Sequence, residues 1–399
     1  MEEPAAQFPP NHLLATRPPP CRIDKIQSDF YTFFKYPKNT SDLIMRSLAF
    51  IAVWSWVFYA NFLSAADVLT SLSELPQRWN EIKTGGESAC ARGGEYSFFV
   101  FPGKVDQVVV DFYGGGVCWN AETCSPGSAS FVDSLEGLRE DIKKNRLRGI
   151  YEKKDTRNPI KDWHHILIPY CTGDLHWGSK DKTYTKEDGS NFVVKHRGAV
   201  NTRAVFSWIQ EHIHTPKRVF VTGCSAGGFG AIFWVPHIRA MFPSTPLVHL
   251  SDSSSNTITE DFFPTVNPLW NFTASLPEWL PTMNPIEVDV RKFHMASLYK
   301  TLGDQYPDIR FSQYTSVNDS VQRSYIQQLG GDPIRWSENF QYTMHTLAYL
   351  HKNYNFFVAS GEDHCILPFD RLYSTAKAGQ SFHGWLGDLI SGQSVENVP

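Results

Sequence analysis

Residues 217–229 read KRVFVTGCSAGGF, and the interpretation of the whole chain starts from this stretch. The run from Arg218 to Thr222 is short, β-branched and aromatic, which is typical of a buried strand. Ser225 follows within Gly-Cys-Ser-Ala-Gly, and a helical segment comes next. An ordinary glycine-rich turn would share this bare pattern. A serine between glycines at a strand-to-helix turn also matches a nucleophile elbow, in which a strained turn exposes the hydroxyl above the sheet.

The composition of the chain is that of a globular protein. Its 399 residues are 42% hydrophobic and 14% aromatic, and the net charge is −4. Asp and Glu outnumber Lys and Arg by 41 to 37 and the cations form no stripe, so we expect no nucleic-acid partner. The many aromatic rings fit a carbohydrate or acyl-chain site, although most rings in a chain of this size fill its core. We predict a single catalytic domain over residues 67–399 and a monomer.

The first 66 residues divide into two segments. Residues 1–44 are rich in proline and polar groups and are predicted to be disordered, or to belong to an over-extended gene model if Met45 is the true start. Residues 45–66 have Arg46 before an uncharged run that ends in Ser-Ala-Ala. This is the pattern of a signal peptide cleaved before Asp67, and it predicts secretion. The alternative is an uncleaved anchor of a type II membrane protein.

Cysteine usage agrees with export. Six cysteines lie beyond Met45, an even number, and three disulfides are plausible in an oxidising compartment. Six cysteines allow fifteen pairings, among which the sequence cannot choose. No Cys-x-x-Cys pair or histidine-rich cluster indicates zinc, so we expect no metal and no cofactor.

Apolar runs that are continuous enough to be buried on both faces predict a mostly parallel sheet. Strands are predicted at residues 95–101, 105–113, 163–170, 218–222, 246–250, 309–315 and 355–359. Helices are predicted at residues 67–81, from leucines at helical spacing, and at residues 196–210.

Three glycines, at residues 114–116, follow the predicted strand at residues 105–113. Backbone N–H groups in such a loop can approach an oxygen without side-chain obstruction, as an oxyanion hole requires. We expect Gly115, Gly116 and Ala226, the residue after the serine, to supply the donors. A flexible loop is the alternative; a phosphate cradle is disfavoured because no Gly-Lys-Ser/Thr follows.

A substrate-binding set is predicted at the carboxyl ends of the strands, where ligands bind in sheets of this type. Asp174, His176 and Trp177 follow the predicted strand at residues 163–170, and Trp119 follows the glycine loop. A turn held by Asp174 is the alternative interpretation of that segment.

Catalytic partners for Ser225 are predicted after the last two strands. Asp319 and His364 follow them, and the order Ser, Asp, His is that of α/β-hydrolases. In such a triad the histidine takes the serine proton during attack on an ester, and the acid orients the imidazole. Asp252, at the end of the strand after the elbow, is the alternative acid. His345, His351 and His383 are weaker candidates for the base.

Taken together, the segments GGGVCWNAETC, PYCTGD, GCSAGG, DSVQ and HC resemble the pectin acetylesterase family, which includes Notum-type carboxylesterases. The resemblance covers most of residues 85–370. It implies an α/β-hydrolase fold, with helices on both faces of the sheet, and metal-free serine esterase chemistry. It places Ser225, Asp319 and His364 in the triad, and Gly115, Gly116 and Ala226 in the oxyanion hole.

Three functions follow as expectations. The first is a secreted esterase that removes acetyl groups from an extracellular, pectin-like polysaccharide. The second is a fatty-acyl protein deacylase of the Notum type, which needs a deep apolar slot. The third is a non-catalytic carbohydrate-binding relative, which the presence of all three triad residues disfavours.

Overall fold

The computed structural model describes residues 71–254, 258–280, 283–286 and 288–399. The predicted disordered segment at residues 1–44 and the predicted signal peptide or anchor at residues 45–66 lie outside these ranges. The residues in these ranges form one compact unit.

An eight-stranded sheet forms the centre of this unit. Its strands are β1 Asn80–Lys83, β2 Ser97–Phe101, β3 Val105–Phe112, β4 Trp163–Ile168, β7 Val219–Cys224, β8 Leu247–Asp252, β9 Arg310–Ser316 and β10 Tyr354–Ala359. Their order in the sheet is β1-β2-β4-β3-β7-β8-β9-β10. The strands from β4 to β10 in this order are parallel to one another, β2 pairs antiparallel with β4 at one edge, and β1 pairs antiparallel with β2. Two hairpins lie outside the sheet: β5 Lys180–Thr185 with β6 Asn191–His196, and β11 Ala376–Lys377 with β12 Gln380–Ser381.

Eight α-helices accompany the sheet in the described ranges. Their bounds are α1 Glu136–Lys143, α2 Gly198–His212, α3 Ala226–Met241, α4 Phe262–Trp270, α5 Met295–Gln305, α6 Ser320–Gln328, α7 Pro333–Leu350 and α8 Phe382–Ser391. No helix within the described residues is long and apolar enough to cross a bilayer.

The predicted helix at residues 67–81 is wrong over its described part. Leu72–Glu74 form a single 3₁₀ turn, and Asn80–Lys83 form strand β1, which pairs with β2. Pro76 interrupts the leucine periodicity and leaves too few residues on either side for a stable helix. Pairing with the edge of the sheet therefore decides the structure of this segment.

Side-chain alternation along the central strands places a core on each face of the sheet. On β3, Val108 and Val110 belong to one apolar cluster and Val109 to the other. The first cluster includes apolar residues of α2 and α3, and the second includes Trp385 and Leu389 of α8. Strands covered on both faces are continuously apolar, which explains the sequence pattern. The predicted α/β-hydrolase fold is confirmed.

Parallel strands end at the same edge of a sheet. The carboxyl ends of β3, β7, β8, β9 and β10 therefore deliver the glycine loop, the serine turn, Asp252, Asp319 and the His364 loop to one edge.

Candidate active site

Ser225 lies at a sharp turn between β7 and α3. Its backbone has φ 57° and ψ −125°, a left-handed conformation that an L-residue adopts only under restraint. Part of that restraint is a hydrogen bond from the Ser225 N–H to the Asp252 carbonyl oxygen at 2.8 Å. A Cβ atom on Gly227 would lie 1.8 Å from the Phe112 carbonyl oxygen, so the tight helix approach requires glycine there. The turn has the conformation expected of a nucleophile elbow.

Asp319 and His364 are paired. The His364 Nδ1 atom lies 2.9 Å from Oδ2 and 3.0 Å from Oδ1 of the Asp319 carboxylate. Asp319 is fully buried and caps α6, because its Oδ1 accepts the N–H groups of Val321 and Gln322 and its Oδ2 accepts the Gln322 side-chain amide. The His364 side chain is 19% exposed. A buried carboxylate held by several donors therefore orients an imidazole that remains open to solvent.

Ser225 and His364 face the same space. Both residues line two neighbouring cavities, and the Cys224–Cys365 disulfide joins the residues next to them in the chain. The other two disulfides join Cys90 to Cys171 and Cys118 to Cys124. The structure thus brings the three predicted triad residues together, although 139 positions separate Ser225 from His364 in the chain.

Asp252, the alternative acid, has other partners. Its Oδ2 accepts the N–H groups of Ile366 and Leu367 at 2.8 and 2.9 Å. The side chain is fully buried, and burial raises its pKa to about 6. Its described hydrogen bonds hold the backbone after His364 rather than the imidazole ring.

The glycine loop lies beside the elbow. Gly116 has φ +79°, and a Cβ atom on it would lie 2.1 Å from the Ser130 carbonyl oxygen. A Cβ atom on Gly115 would lie 2.7 Å from the Tyr170 ring. The described hydrogen bonds give no protein acceptor for the N–H groups of Gly115, Gly116 and Ala226, and each of these residues lines a cavity with Ser225. The loop conformation therefore requires glycine, and these N–H groups are available to a ligand.

Three residues of the predicted substrate-binding set, Asp174, His176 and Trp177, lie in the core of the structure. Asp174 is fully buried and accepts the N–H groups of His176 and Gly198. The His176 Nε2 atom lies 2.9 Å from the Tyr113 carbonyl oxygen.

Trp177, fully buried, donates its Nε1–H to the Phe229 carbonyl oxygen. None of these three side chains lines the two cavities beside Ser225. The left-handed turn at Leu175 and His176 directs Leu175 into the first cavity instead.

Trp119, the fourth member, is partly buried, and its ring contacts Tyr325 edge-on at 6.3 Å. Tyr325 lines both cavities and donates its hydroxyl to the Ser130 carbonyl oxygen at 2.6 Å. The sequence analysis missed Tyr325. Tyr325 lies on the helix that begins directly after the predicted triad acid, Asp319. A side chain one or two turns along such a helix faces the site again, and this spacing was the available signal.

The first cavity, here called the acyl cavity, has a volume of about 40 Å³. Space for a single water is roughly 10–15 Å³ in this measure, so the acyl cavity holds only a few atoms. Its lining is mostly apolar. It comprises Gly116, Val117, Leu175, Ser225, Ala226, Phe229, Ser253, Ile258, Phe262, Val321, Gln322, Tyr325, Leu329 and His364.

The second cavity, here called the outer cleft, is larger, at about 400 Å³, and more polar. Tyr113, Tyr151 and Arg148 line it together with the elbow and the His364 loop. Arg146, at its edge, is paired with Asp141. Arg148 forms no ion pair within the described residues and donates only to the carbonyl oxygens of Asn145 and Leu147. The outer cleft therefore offers aromatic surfaces and one unpaired guanidinium.

Two groups of side chains have the spacing of metal ligands within the described residues. One contains Cys118, Cys124 and His196, and the other contains Cys224, His364 and Cys365. In both groups the cysteines are disulfide-bonded and lack the thiolate that binds metals. Neither group therefore forms a cysteine-based metal centre in this oxidised state.

Sequence comparisons relate the chain to two kinds of esterase. The sequence model of the Pectinacetylesterase family matches residues 81–262. Pectin acetylesterase 7 of Arabidopsis thaliana is 24% identical over 44% of this chain and 46% of its own length. Pectin acetylesterase 11 of the same plant is 22% identical over 56% of this chain and 59% of its own length. The chain thus spans about half the length of these curated relatives.

The palmitoleoyl-protein carboxylesterase notum2 of Xenopus laevis is 26% identical over 34% of this chain and 27% of its own length. Among solved structures, the Wnt deacylase Notum from Drosophila superposes with a TM-score of 0.57. The superposition covers 81% of this chain and 96% of the Drosophila chain, at 17% identity. A second crystal form has a TM-score of 0.54. At this identity the structural likeness concerns the fold.

Proposed function

Because the pectin acetylesterase family model matches residues 81–262, we propose that this chain is a secreted serine carboxylesterase that deacetylates a pectin-like polysaccharide through an acyl-enzyme on Ser225. The observation that carries the proposal is the elbow serine facing the same cavities as a histidine paired with a buried aspartate. The comparisons support the coarser part, a carboxylic ester hydrolase.

The proposed chemistry assigns one step to each triad residue. Asp319 accepts a hydrogen bond from His364 Nδ1, so Nε2 is the ring nitrogen left to take the Ser225 proton. The serine oxygen attacks the ester carbonyl, and the imidazolium returns the proton to the leaving alcohol. Water activated by the same imidazole then hydrolyses the acyl-serine and releases acetate.

Developing negative charge on the carbonyl oxygen would be stabilised by the N–H groups of Gly115, Gly116 and Ala226. Preorganised donors of this kind need no rearrangement as the charge forms, and losing one typically lowers turnover about 10²–10³-fold. Support for this assignment comes from the glycine-dependent loop conformation beside Ser225 and from the lack of a protein acceptor for these N–H groups.

The two cavities indicate the two halves of the substrate. A small apolar space beside Ser225 and His364 suits an acetyl group. The outer cleft, with Tyr113, Tyr151 and the unpaired Arg148, suits a sugar that carries a carboxylate. An acetylated polyuronide combines both features.

A fatty-acyl protein deacylase is the second candidate, and the relationship to the palmitoleoyl-protein carboxylesterase notum2 favours it. The volume of the acyl cavity opposes it, because a long chain needs a slot many times larger than about 40 Å³. A non-catalytic carbohydrate-binding relative is the third candidate, and the paired Asp319 and His364 oppose it.

Export of the protein is proposed from the disulfides and from the sequence pattern of a signal peptide. Three disulfides suit an oxidising compartment, and the proposed signal peptide at residues 45–66 would direct the chain there. N-terminal sequencing of the secreted protein tests cleavage before Asp67, whereas retention in membranes would support the anchor. The protein is proposed to act as a monomer.

The central test compares wild type with Ser225→Ala. Hydrolysis of p-nitrophenyl acetate and release of acetate from acetylated pectin should both be lost in Ser225→Ala. Ser207→Ala, an exposed position on α2, is the matched control and should retain both activities. Undiminished hydrolysis by Ser225→Ala would exclude Ser225 as the nucleophile.

A further inference from the structure

The serine and the histidine of the site come from strands that are not neighbours. β7, before Ser225, and β10, before His364, are separated by β8 and β9. Three strand spacings of roughly 4.8 Å place the two strand ends about 14 Å apart. The loop after β10 must therefore cross two strand ends, and its position has to be maintained by contacts of its own.

A disulfide holds this loop against the elbow. Cys224 immediately precedes Ser225 and Cys365 immediately follows His364, and their bond brings the two Cα atoms to 5.8 Å across 141 positions of sequence. The covalent bond joins the backbone on either side of the two reacting side chains. Breaking this bond therefore removes a direct constraint on the spacing between Ser225 and His364.

Asp252 also connects the elbow to the loop after β10. Its carbonyl oxygen accepts the Ser225 N–H at 2.8 Å, and its carboxylate accepts the N–H groups of Ile366 and Leu367. A single residue at the end of β8 thus fixes both the elbow and the start of the chain after the histidine. The side chain is fully buried, so its removal leaves the two buried N–H groups without this partner.

Further polar contacts restrain the strained residue of the loop. Cys365 has φ 60°, and its N–H donates to the Ser253 hydroxyl at 2.9 Å. Arg371 donates its guanidinium to the carbonyl oxygens of His364 and Cys365 at 2.7 and 2.6 Å. A left-handed conformation in a non-glycine residue persists only where its surroundings determine it.

We propose that the Cys224–Cys365 disulfide and the Asp252 side chain form a clamp that positions His364 against Ser225, and that Asp252 is a positioning residue rather than the acid of the triad. The inference rests on the proposed function, since it concerns the geometry of the same site. Opening the clamp displaces the histidine and leaves the substrate cavities in place. Substrate binding is retained because the cavities remain. Turnover falls because a displacement of the histidine by about 1 Å can lower the rate about 10²-fold.

The clamp is also accessible to reductants. Cys224 lines the outer cleft and is partly exposed, whereas the other five cysteines of the three described disulfides are buried. A small thiol therefore reaches this disulfide first, and activity is sensitive to the redox state of the surroundings.

The first experiment removes the disulfide. The double variant Cys224→Ala/Cys365→Ala is compared with Cys90→Ala/Cys171→Ala, which removes a disulfide outside the site. The clamp variant should lose kcat about 100-fold on p-nitrophenyl acetate, with KM changed less than about threefold. It should also react more slowly with a fluorophosphonate probe of the serine, and the control should keep its kcat. An unchanged kcat in the clamp variant overturns the proposal.

If the clamp variant does not fold, the wild-type enzyme provides the measurement. The folded protein is titrated with dithiothreitol, free thiols are alkylated, and Cys224 and Cys365 are followed by mass spectrometry. Loss of activity in step with their reduction, with unchanged near-ultraviolet circular dichroism and recovery on reoxidation, supports the clamp. Full activity after complete reduction of this pair overturns it.

The second experiment tests the role of Asp252. Asp252→Asn keeps a carbonyl oxygen for the two backbone N–H groups and should lower kcat less than about tenfold, whereas Asp252→Ala should lower it about 100-fold. Asp319→Asn should lower kcat about 10⁴-fold and change the pH profile, which the Asp252 variants should leave unchanged. A loss in Asp252→Asn equal to that in Asp319→Asn refutes the positioning role.

Failure of the proposed function is a separate result. It appears as hydrolysis that persists in Ser225→Ala, or as no ester hydrolysis by wild type. Failure of the clamp requires an active wild type, an inactive Ser225→Ala and a clamp variant of normal turnover.

Discussion

The size of the acyl cavity predicts which acyl groups the enzyme accepts, and Phe229 tests that prediction. Phe229 lies in the first turn of α3, is 6% exposed, and lines the cavity behind Ser225. Its carbonyl oxygen, which accepts the Trp177 indole N–H, is retained in Phe229→Ala. The substitution therefore enlarges the acyl cavity without removing a hydrogen bond.

The expected change in acyl-chain preference follows from the burial of methylene groups, each of which contributes about 0.8 kcal/mol to binding of the acyl chain. An octanoyl group has about six more carbons than an acetyl group. A slot that admitted all of them would favour octanoate by about 5 kcal/mol, or more than 10³-fold in kcat/KM. The cavity of about 40 Å³ has no room for them, so wild type should prefer p-nitrophenyl acetate. Room for two or three extra carbons in Phe229→Ala should raise the octanoate-to-acetate ratio of kcat/KM about 30-fold.

The assay measures kcat/KM for p-nitrophenyl esters from acetate to octanoate. Phe263→Ala is the matched control, because Phe263 is buried against Trp177 and does not line the acyl cavity. Both substitutions should destabilise the protein by about 3–5 kcal/mol, so only a change in chain-length preference identifies the cavity effect. A wild-type enzyme that already prefers octanoate more than about 100-fold would refute the acetyl assignment and favour the fatty-acyl deacylase.

Three further predictions concern the turn, a buried carboxylate and the outer cleft. Gly227→Ala should destabilise the protein by about 3 kcal/mol or more in thermal unfolding, because its Cβ atom would lie 1.8 Å from the carbonyl oxygen that ends β3. Gly387→Ala in α8 is the control: its Cβ atom would meet no atom within 4 Å, so the substitution should stabilise the protein by about 0.5 kcal/mol. Equal melting temperatures would contradict this. Burial raises the pKa of Asp174 to about 6 from 3.8, so the folded state binds this proton more tightly than the unfolded chain. The free energy of unfolding of wild type minus that of Asp174→Asn, measured with urea, should therefore fall by about 3 kcal/mol as the pH rises from about 4 to about 6. A difference that stays constant over this pH range would show that Asp174 does not titrate there. Arg148→Ala should raise KM for acetylated polygalacturonate about tenfold and leave the kinetics with p-nitrophenyl acetate unchanged. Arg335→Ala on α7 is the control. An unchanged KM in Arg148→Ala would place the acidic sugar elsewhere.

Local patterns in the sequence were sufficient to predict most strands of the sheet. Residues 108–110 and 166–168 are apolar without interruption because both faces of their strands are covered, and that property is visible in the chain itself. The segment near Asn80 was mispredicted as helix because leucine spacing cannot report the neighbouring strand edge that pairs with it.

The position of each site residue along the chain was also predictable, because a turn such as Gly-Cys-Ser-Ala-Gly and a polar residue after a strand are local features. The side-chain directions were not. His176 and Trp177 follow a strand as pocket residues often do, yet a left-handed turn at Leu175 directs them into the core. Backbone conformations of this kind depend on the surrounding structure, which no local pattern contains.

Sequence alone therefore predicted a mostly parallel sheet, the serine turn, and an aspartate and a histidine placed after the last strands, since each follows from local patterns in the chain. Only the tertiary structure decided which of fifteen cysteine pairings forms, that His364 pairs with Asp319 while Asp252 supports the loop beyond it, and that Tyr325 and Arg148 reach the site. These are contacts between segments far apart in the chain. They are fixed by the order of strands in the sheet and by the packing around it.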